Sequence, residues 1–335
     1  MNMRKYNLAI VGVTGMVGRV MIQALEERKL PINNFYAMAS ARSKGKLITF
    51  DGKEYEVEEL ADSSFDKEID IAIFSAGGST SKEFAPIAAK KGTVVIDNSS
   101  AWRMYPNVPL VVPEVNPEDI HWHKGIISNP NCSTIQAVVA LKPLHDAYRI
   151  KRIVYSTYQA VSGAGMAGYT DLEDGLKGIP PKKFPHPIAN NCLPHIDEFL
   201  ESGYTKEEQK MIEETRKIFG EPNLKITATT VRVPVFNCHS ESINVEFENE
   251  FNISQVRKLL SKAKGVVLKD DPKNNIYPLA TDATGKDETF VGRIRRDDSV
   301  ENGLNLWVVA DNLRKGAATN AIQIAEELIK WWNAD

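Results

Sequence analysis

Cysteine is scarce in this chain of 335 residues: three thiols, Cys132, Cys192 and Cys238, make no disulfide framework, and no paired Cys/His spacing suits zinc. Such usage fits a reducing cytoplasm, with no metal expected. Long apolar runs are missing too. No stretch approaches the ~18 residues a membrane span needs, and Met1 to Tyr6 is short and polar with no leader pattern, so a soluble, unprocessed protein is expected. Charge of one sign is also lacking. The 41 Lys and Arg stand against 44 Asp and Glu, and the basic residues are scattered rather than gathered into a run. That removes the electrostatic reason to expect nucleic acid and leaves a small molecule as the natural ligand.

What is present is a chain long enough for two domains with ordinary cores. Leu8-Ala9-Ile10-Val11 is a continuous apolar run ending at Gly12, and Val17 to Leu25 then repeats apolar residues at helical spacing. Further buried-strand patterns are Phe35 to Ala39, Ile69 to Phe74, Val94 to Ile96, Leu110 to Val112 and Ile126-Ile127, with helical segments between several of them, notably Lys82 to Lys91. This alternation predicts an α/β domain with a doubly wound parallel sheet of Rossmann type. After Cys132 the texture changes. Arg152 to Gln159, Ile226 to Val233 and Ser242 to Phe247 alternate apolar with polar residues, which predicts an α+β domain on a mixed or antiparallel sheet with one covered face. Gly178 to Pro194 carries prolines at 180, 181, 185, 187 and 194 and reads as an ordered excursion, either an interface with a partner subunit or a lid. Thr319 to Trp332 puts Ala321, Ala325, Leu328 and Trp332 on one helical stripe.

Gly12, Gly15 and Gly18 follow a buried strand and open a helix, a spacing that lets backbone approach a pyrophosphate while the helix N-terminus offers free N–H groups. A merely tight strand-to-helix turn would need the same residues. The second strand runs into Ser40-Ala41-Arg42-Ser43-Lys44, two hydroxyls and two cations where an NAD site usually has an acid. Alone this is a solvated basic loop. Joined to the glycine turn it suits the 2′-phosphate of NADP.

Pro130 disfavours helix at Asn129, Asn131 is an N-cap candidate, and Cys132 then falls in the first turn of a helix, where the dipole and free N–H groups stabilise a thiolate. Thr205 and Glu208 have capping-box spacing, and Glu207 and Lys210 lie one turn apart beyond it. Arg232 interrupts an apolar strand pattern, where an unpaired guanidinium is costly: it needs either an internal acid or a substrate carboxylate.

Ser99-Ser100-Ala101-Trp102-Arg103, Ser128 to Thr134 and Arg232 to Glu241 together resemble the signature segments of the aspartate-β-semialdehyde dehydrogenase family. The glycine turn, Ser40 to Ser43, Gln159 to Gly165 and Asp311 to Ala318 follow in the family's order, so the likeness covers essentially the whole chain. The resemblance implies NADPH-dependent reduction of L-aspartyl-4-phosphate to aspartate-4-semialdehyde through a cysteine thioester, a step toward lysine, methionine, threonine and isoleucine. It makes Cys132 the nucleophile, His239 the acid/base and Gln159 the group orienting the acyl-enzyme. Glu207 and Arg232 are matched to the substrate ammonium and carboxylate, and Lys210, Arg103 and Asn131 to its phosphate. Gly12, Thr14, Gly15, Met16, Val17, Ser40, Arg42, Ser43, Ser75, Gly77, Ser162, Gly163 and Asn312 are matched to the cofactor. Residues 1–131 plus 315–335 become the NADP-binding domain and 132–314 the catalytic and dimerisation domain of a homodimer or homotetramer, with Leu328 and Trp332 in the nucleotide domain's core and Cys192 and Cys238 as packing residues. The rivals are a related reductase acting on N-acetyl-γ-glutamyl phosphate or malonyl-CoA, a silent NADP-binding relative, and a cysteine hydrolase, for which the glycine turn has no purpose.

Overall fold

The computed structural model describes residues 4–334, so the first three residues of the polar start lie outside it. Two compact units emerge, one holding residues up to Pro130 and those from Ala317 onward, the other Asn131–Gly316.

The first unit is built on strands whose residues are apolar on both faces, the composition of a sheet covered on each side. β1 (Tyr6–Val11), β2 (Ile32–Ala39), the hairpin β3 (Leu47–Phe50) and β4 (Lys53–Glu56), the short β5 (Glu58–Glu59), β6 (Ile71–Phe74), β7 (Val94–Asp97) and β8 (Ile126–Ser128) follow in chain order. Outside the hairpin they form one parallel sheet in the order β5-β2-β1-β6-β7-β8. The order reverses direction at β1, and the first helix, α1 (Met16–Arg28), leaves β1 at that switch point. α2 (Gly78–Lys90) follows β6. The terminal helix, Thr319–Ala334, buries Ala321, Ala325 and Leu328 in the core formed with Ile10, Met21 and Ile73, while Trp332 packs partly buried at its edge.

One predicted strand does not form. Leu110 to Val112 is buried but makes only a single bridge, Leu110 to Ser128. The side chain of Asn116 takes the Val112 N–H at 2.9 Å, and Pro109 and Pro113 flank the run, so the ladder has no donors with which to continue.

The second unit carries the predicted mixed sheet. β9 (Ile150–Gln159), β10 (Lys225–Arg232), β11 (His239–Phe247), β12 (Val266–Leu268), β13 (Thr289–Asp297) and β14 (Gly303–Ala310) are ordered β10-β9-β11-β14-β13-β12. The central pairings are antiparallel and the two outermost parallel. β11 shows the cause of one-sided covering: its odd-numbered residues from His239 to Phe247 are buried and the even ones half-buried. The buried face packs against α3 (Cys132–Tyr148), α5 (Lys206–Phe219) and α6 (Ile253–Leu260) through Leu141, Leu144, Met211 and Val256, while α4 (Gly165–Gly175) follows the turn after β9. On the other face the rings of Tyr158 and Trp307 lie 5.4 Å apart, with Tyr158 40% exposed.

The proline-rich segment forms no helix and only one bridge, Leu193 to Arg232. Order comes from elsewhere. Ile188 and Leu193 are buried against Val161 and Leu172, and the carboxylate of Asp171 accepts the backbone N–H groups of Lys182, Lys183 and Phe184. Of the two cysteines expected to pack, Cys238 is buried but Cys192 is exposed, because it lies on the outer rim of this excursion beside the exposed Asn191.

Candidate active site

In the first unit, the turn after β1 depends on glycine. Gly12 has φ +90°, and a Cβ there would stand 2.3 Å from the carbonyl oxygen of Ser75. At Gly18 a Cβ would stand 2.4 Å from the carbonyl oxygen of Gly12, so the third glycine is what lets α1 press onto the turn. Above it opens a cavity of about 470 Å³ lined by Gly12, Thr14, Gly15, Ser40, Arg42, Ser43 and Ser75, among others. Thr14 Oγ1 and Ser43 Oγ meet at 3.2 Å, and Leu60 and Phe84 supply apolar walls that no local motif announces. Met16, the first residue of α1, and Val17 do not line this cavity, nor does Gly77, whose φ of +87° ends the β6 turn before α2. Bare backbone at a helix start with hydroxyls and a cation at its rim suits a dinucleotide phosphate. Arg19 and Lys46 line an adjoining cavity that also contains Arg42 and Ser43, and sequence reasoning missed both.

Arg103, also in this unit, is buried and donates through Nε to the carbonyl of Asn129 at 3.0 Å and through Nη2 to that of Asn98 at 3.2 Å. Those bonds fix its position beside the end of β8.

In the second unit, α3 begins as the sequence predicts. Asn131 is the N-cap, its Oδ1 accepting from the N–H of Ser133 at 3.0 Å and of Thr134 at 3.4 Å, so Cys132, half-buried, is the first residue of the helix, at its positive end. His239 begins β11, fully buried, and its Nε2 lies 3.2 Å from Cys132 Sγ. Burial first, and the charge of Arg232 second, hold its imidazole well below the ordinary histidine pKa. Gly316 crowds the other side: a Cβ there would stand 2.9 Å from Cβ of Cys132.

Around this pair is a buried polar network centred on Glu207. Its Oε1 accepts from Asn131 Nδ2 at 3.0 Å and from Gln159 Nε2 at 3.1 Å, and its Oε2 accepts from Lys210 Nζ at 3.2 Å. Burial pushes the Glu207 carboxyl up, but Lys210, the two amides and Arg232 outweigh it and hold the group below the usual carboxylate range. Gln159 is oriented in turn by Thr157 Oγ1, which donates to its Oε1 at 3.0 Å. Arg232 is buried at the end of β10, donates through Nη1 to the Ala160 carbonyl at 2.7 Å, and keeps an Nε with no hydrogen-bond partner. A buried guanidinium N–H left open is a place for an anionic ligand.

Two further acids complete the site, and sequence reasoning missed both. Asp197 Oδ2 accepts from Lys210 Nζ at 2.6 Å, and Glu214 Oε2 accepts the backbone N–H of Asn131 at 2.7 Å. The second could have been found, since Glu207, Lys210 and Glu214 recur at helical spacing on α5. Ser162, Gly163 and Asn312 also gather here: Ser162 Oγ donates to Asn312 Oδ1 at 3.2 Å, and a Cβ on Gly163 would stand 2.8 Å from Arg232 Nη1. Among the described residues no group of His, Cys, Asp or Glu could hold a metal ion, and no helix is long and apolar enough to cross a membrane.

Comparison with known proteins gives this geometry its context. Residues 7–123 match the family model of the semialdehyde dehydrogenase NAD binding domain, and 141–315 that of the semialdehyde dehydrogenase dimerisation domain. Over 334 residues the chain is 60% identical to an aspartate-semialdehyde dehydrogenase of Aquifex aeolicus, covering 97% of this chain and 98% of that one. The fold matches aspartate semialdehyde dehydrogenase II of Vibrio cholerae, solved in complex with ASA, at a TM-score of 0.93 and 48% identity over 98% of this chain and 99% of that one. A Candida albicans aspartate semialdehyde dehydrogenase solved with NADP matches at 0.77 and 25% identity, over 97% and 98%.

Proposed function

The chain belongs to the aspartate-semialdehyde dehydrogenase family, and from that premise we propose that it reduces L-aspartyl-4-phosphate to L-aspartate-4-semialdehyde with NADPH, through a thioester on Cys132. The observation that carries the reading is the 3.2 Å approach of Cys132 Sγ to His239 Nε2 at the opening of α3. A sulfur anion there is stabilised by the helix start and by an N–H of the imidazole, and it attacks the acyl carbon while the phosphate departs. Bound NADPH supplies the hydride that reduces the thioester. His239 serves the proton exchange at sulfur and oxygen, and Gln159 orients the acyl group.

Glu207 and Arg232 give the substrate its handles. An α-amino acid needs one fixed anion for its ammonium and one fixed cation for its carboxylate, and both are buried in the same unit as the nucleophile. Lys210, Asn131 and Arg103 are the groups proposed for the phosphate, a dianion that several donors hold better than one. The cofactor contacts are proposed at Gly12, Thr14, Gly15, Met16, Val17, Ser40, Arg42, Ser43, Ser75 and Gly77, with Ser162, Gly163 and Asn312 on the second unit. NADP preference is supported by Ser40, Arg42 and Ser43 and by the absence of an acid in that turn. The half-exposed aromatic face at Tyr158 and Trp307, together with the name of the matching domain, supports a homodimer. Its product would serve lysine, methionine, threonine and isoleucine synthesis in the cytoplasm.

One assay tests the reaction: phosphate-dependent oxidation of aspartate semialdehyde, followed at the nicotinamide absorbance with NADP and NAD in parallel. Faster turnover of N-acetylglutamate semialdehyde, or of a CoA thioester, would overturn the assignment.

A further inference from the structure

Alternate residues on a strand share a face, so the register of β10, β9 and β11 stacks the buried face of the second sheet into rows. The row at the strand ends holds Arg232 and Gln159, paired across β10 and β9, with His239 beside them at the start of β11. Two residues further in, Thr230 pairs with Thr157 and Thr157 with Glu241. One row deeper come Ala228, Tyr155 and Ile243, which belong to the apolar core. The three side chains of the middle row are fully buried. Polar groups at that depth cost free energy unless they are partnered or have a task. Thr230 Oγ1 and both carboxyl oxygens of Glu241 have no hydrogen-bond partner, whereas Thr157 is bonded upward, to Gln159.

The direction of that bond follows from its neighbours. Nε2 of Gln159 must face Glu207, because a carboxylate held in its charged form accepts and never donates. That turns Oε1 toward Thr157, and an amide oxygen only accepts, so the hydroxyl gives its proton across the 3.0 Å. A threonine hydroxyl has a single proton, and the rival claimant is Glu241 on the adjacent strand. Burial holds that carboxyl well above its usual pKa, so a neutral acid stands there and does not draw the proton away. Of the titratable groups on the elements packed around it, His239, Tyr155, Arg232, Cys132, Glu207 and Glu208, none bonds to it to restore its charge.

We propose that Thr157 is a positioning residue whose hydroxyl fixes which end of the Gln159 amide faces the acyl group. This rests on the reaction proposed above. Glu207 alone cannot hold the amide through turnover, since the substrate ammonium arrives at that carboxylate and takes up its lone pairs. Thr157, one row beneath, meets no substrate group. It keeps Oε1 turned inward while the second N–H of Nε2, which has no acceptor among the described residues, remains for the acyl oxygen. There it supports the negative charge that collects on that oxygen as hydride adds to carbon, while His239 keeps the proton exchange. Were the amide to turn over, its oxygen lone pairs would face the developing anion, and the residue would repel what it has to hold.

Neutron diffraction from crystals of the substrate-free protein exchanged into deuterium oxide reads these donations directly. A deuteron on Thr157 Oγ1 should point at Gln159 Oε1, two should lie on Nε2 and one on the Glu241 carboxyl. An Nε2 turned toward Thr157, or a bare carboxylate at Glu241 that takes the Thr157 deuteron, overturns the proposal. Thr157→Val removes the hydroxyl at nearly constant shape. Its kcat for phosphate-dependent oxidation of aspartate semialdehyde should fall about tenfold with KM within about twofold, the loss of one hydrogen bond felt in the transition state. Thr157→Ser keeps the hydroxyl and should recover most of that loss. Serine falling as far as valine would make the methyl group, and so packing, responsible. Adding Thr157→Val to Gln159→Ala should cost nothing further, and a full second loss would show Thr157 acting through some other group. The deuteron positions need no turnover. A protein that shows them and fails to oxidise aspartate semialdehyde would defeat the assigned reaction and leave the Thr157 anchor standing.

Discussion

Cys132 and His239 stand 107 residues apart in the chain, yet their Sγ and Nε2 atoms are 3.2 Å apart, the sulfur at the mouth of α3 and the ring at the first residue of β11. Everything assigned to the second unit is arranged around that approach.

Cys132→Ala should abolish turnover, by at least about four orders of magnitude for loss of a covalent nucleophile, while NADP affinity by titration calorimetry stays within about twofold. Parallel loss of both would make the cysteine structural. Alkylation at neutral pH should tag Cys132 and the exposed Cys192 but spare Cys238, whose thiol burial pushes up to about 12.

Asp197 holds Lys210 by a 2.6 Å ion pair, and a phosphate group approaching that ammonium must compete with it. Asp197→Asn should therefore tighten inhibition by inorganic phosphate several-fold and leave the affinity for NADP unchanged. A weaker phosphate effect would mean that Asp197 orients Lys210 rather than rivals the ligand.

The folded-state pKa of Glu207 is depressed despite its burial, so its charged form contributes stability that is complete above the ordinary carboxylate range. That contribution is lost as pH falls through the depressed value. The melting temperature of the natural protein should exceed that of Glu207→Gln at neutral pH, and the gap should close only in acid below the usual carboxylate pKa. A gap closing already near pH 6 would show burial outweighing Lys210.

Gly163→Ala should lower kcat by more than about tenfold with little change in melting temperature, since the new methyl meets Arg232 Nη1 at 2.8 Å and His239 Cε1 at 3.1 Å rather than core atoms. Normal kinetics would show that both side chains give way freely.

Arg42→Ala should weaken NADP binding by about tenfold and NAD binding hardly at all, if the exposed guanidinium meets a 2′-phosphate. Equal effects on the two cofactors would move phosphate recognition elsewhere, with Arg19 and Lys46 the nearest cations.

The fold class was legible because it is carried by local patterns: apolar runs ending in glycine or polar residues in one half, alternation in the other. The start of α3 was legible for the same reason, Pro130, Asn131 and Cys132 being neighbours. Leu110 to Val112 looked like a strand because apolar spacing says nothing about which group takes each N–H, and Asn116 takes the one that mattered. Asp197 escaped for a related reason: it reaches Lys210 across a loop and a helix start 13 residues on, and an aspartate at a turn has no local mark of that task. Glu214 shares helical spacing with Glu207 and Lys210, but its partner, the Asn131 N–H, lies 83 residues back. Cys192 was misplaced because cysteine is commonly internal, and a proline-bounded rim overrides that tendency.

Asn131 grips α3 with its carbonyl and Glu207 with its amide. The first turn beneath the sulfur and the carboxylate proposed for the substrate ammonium are thereby yoked. Under the proposed reaction, a guest that drags Glu207 would also tug on the turn that carries the proposed nucleophile, so filling the pocket and aiming the sulfur would be one mechanical event.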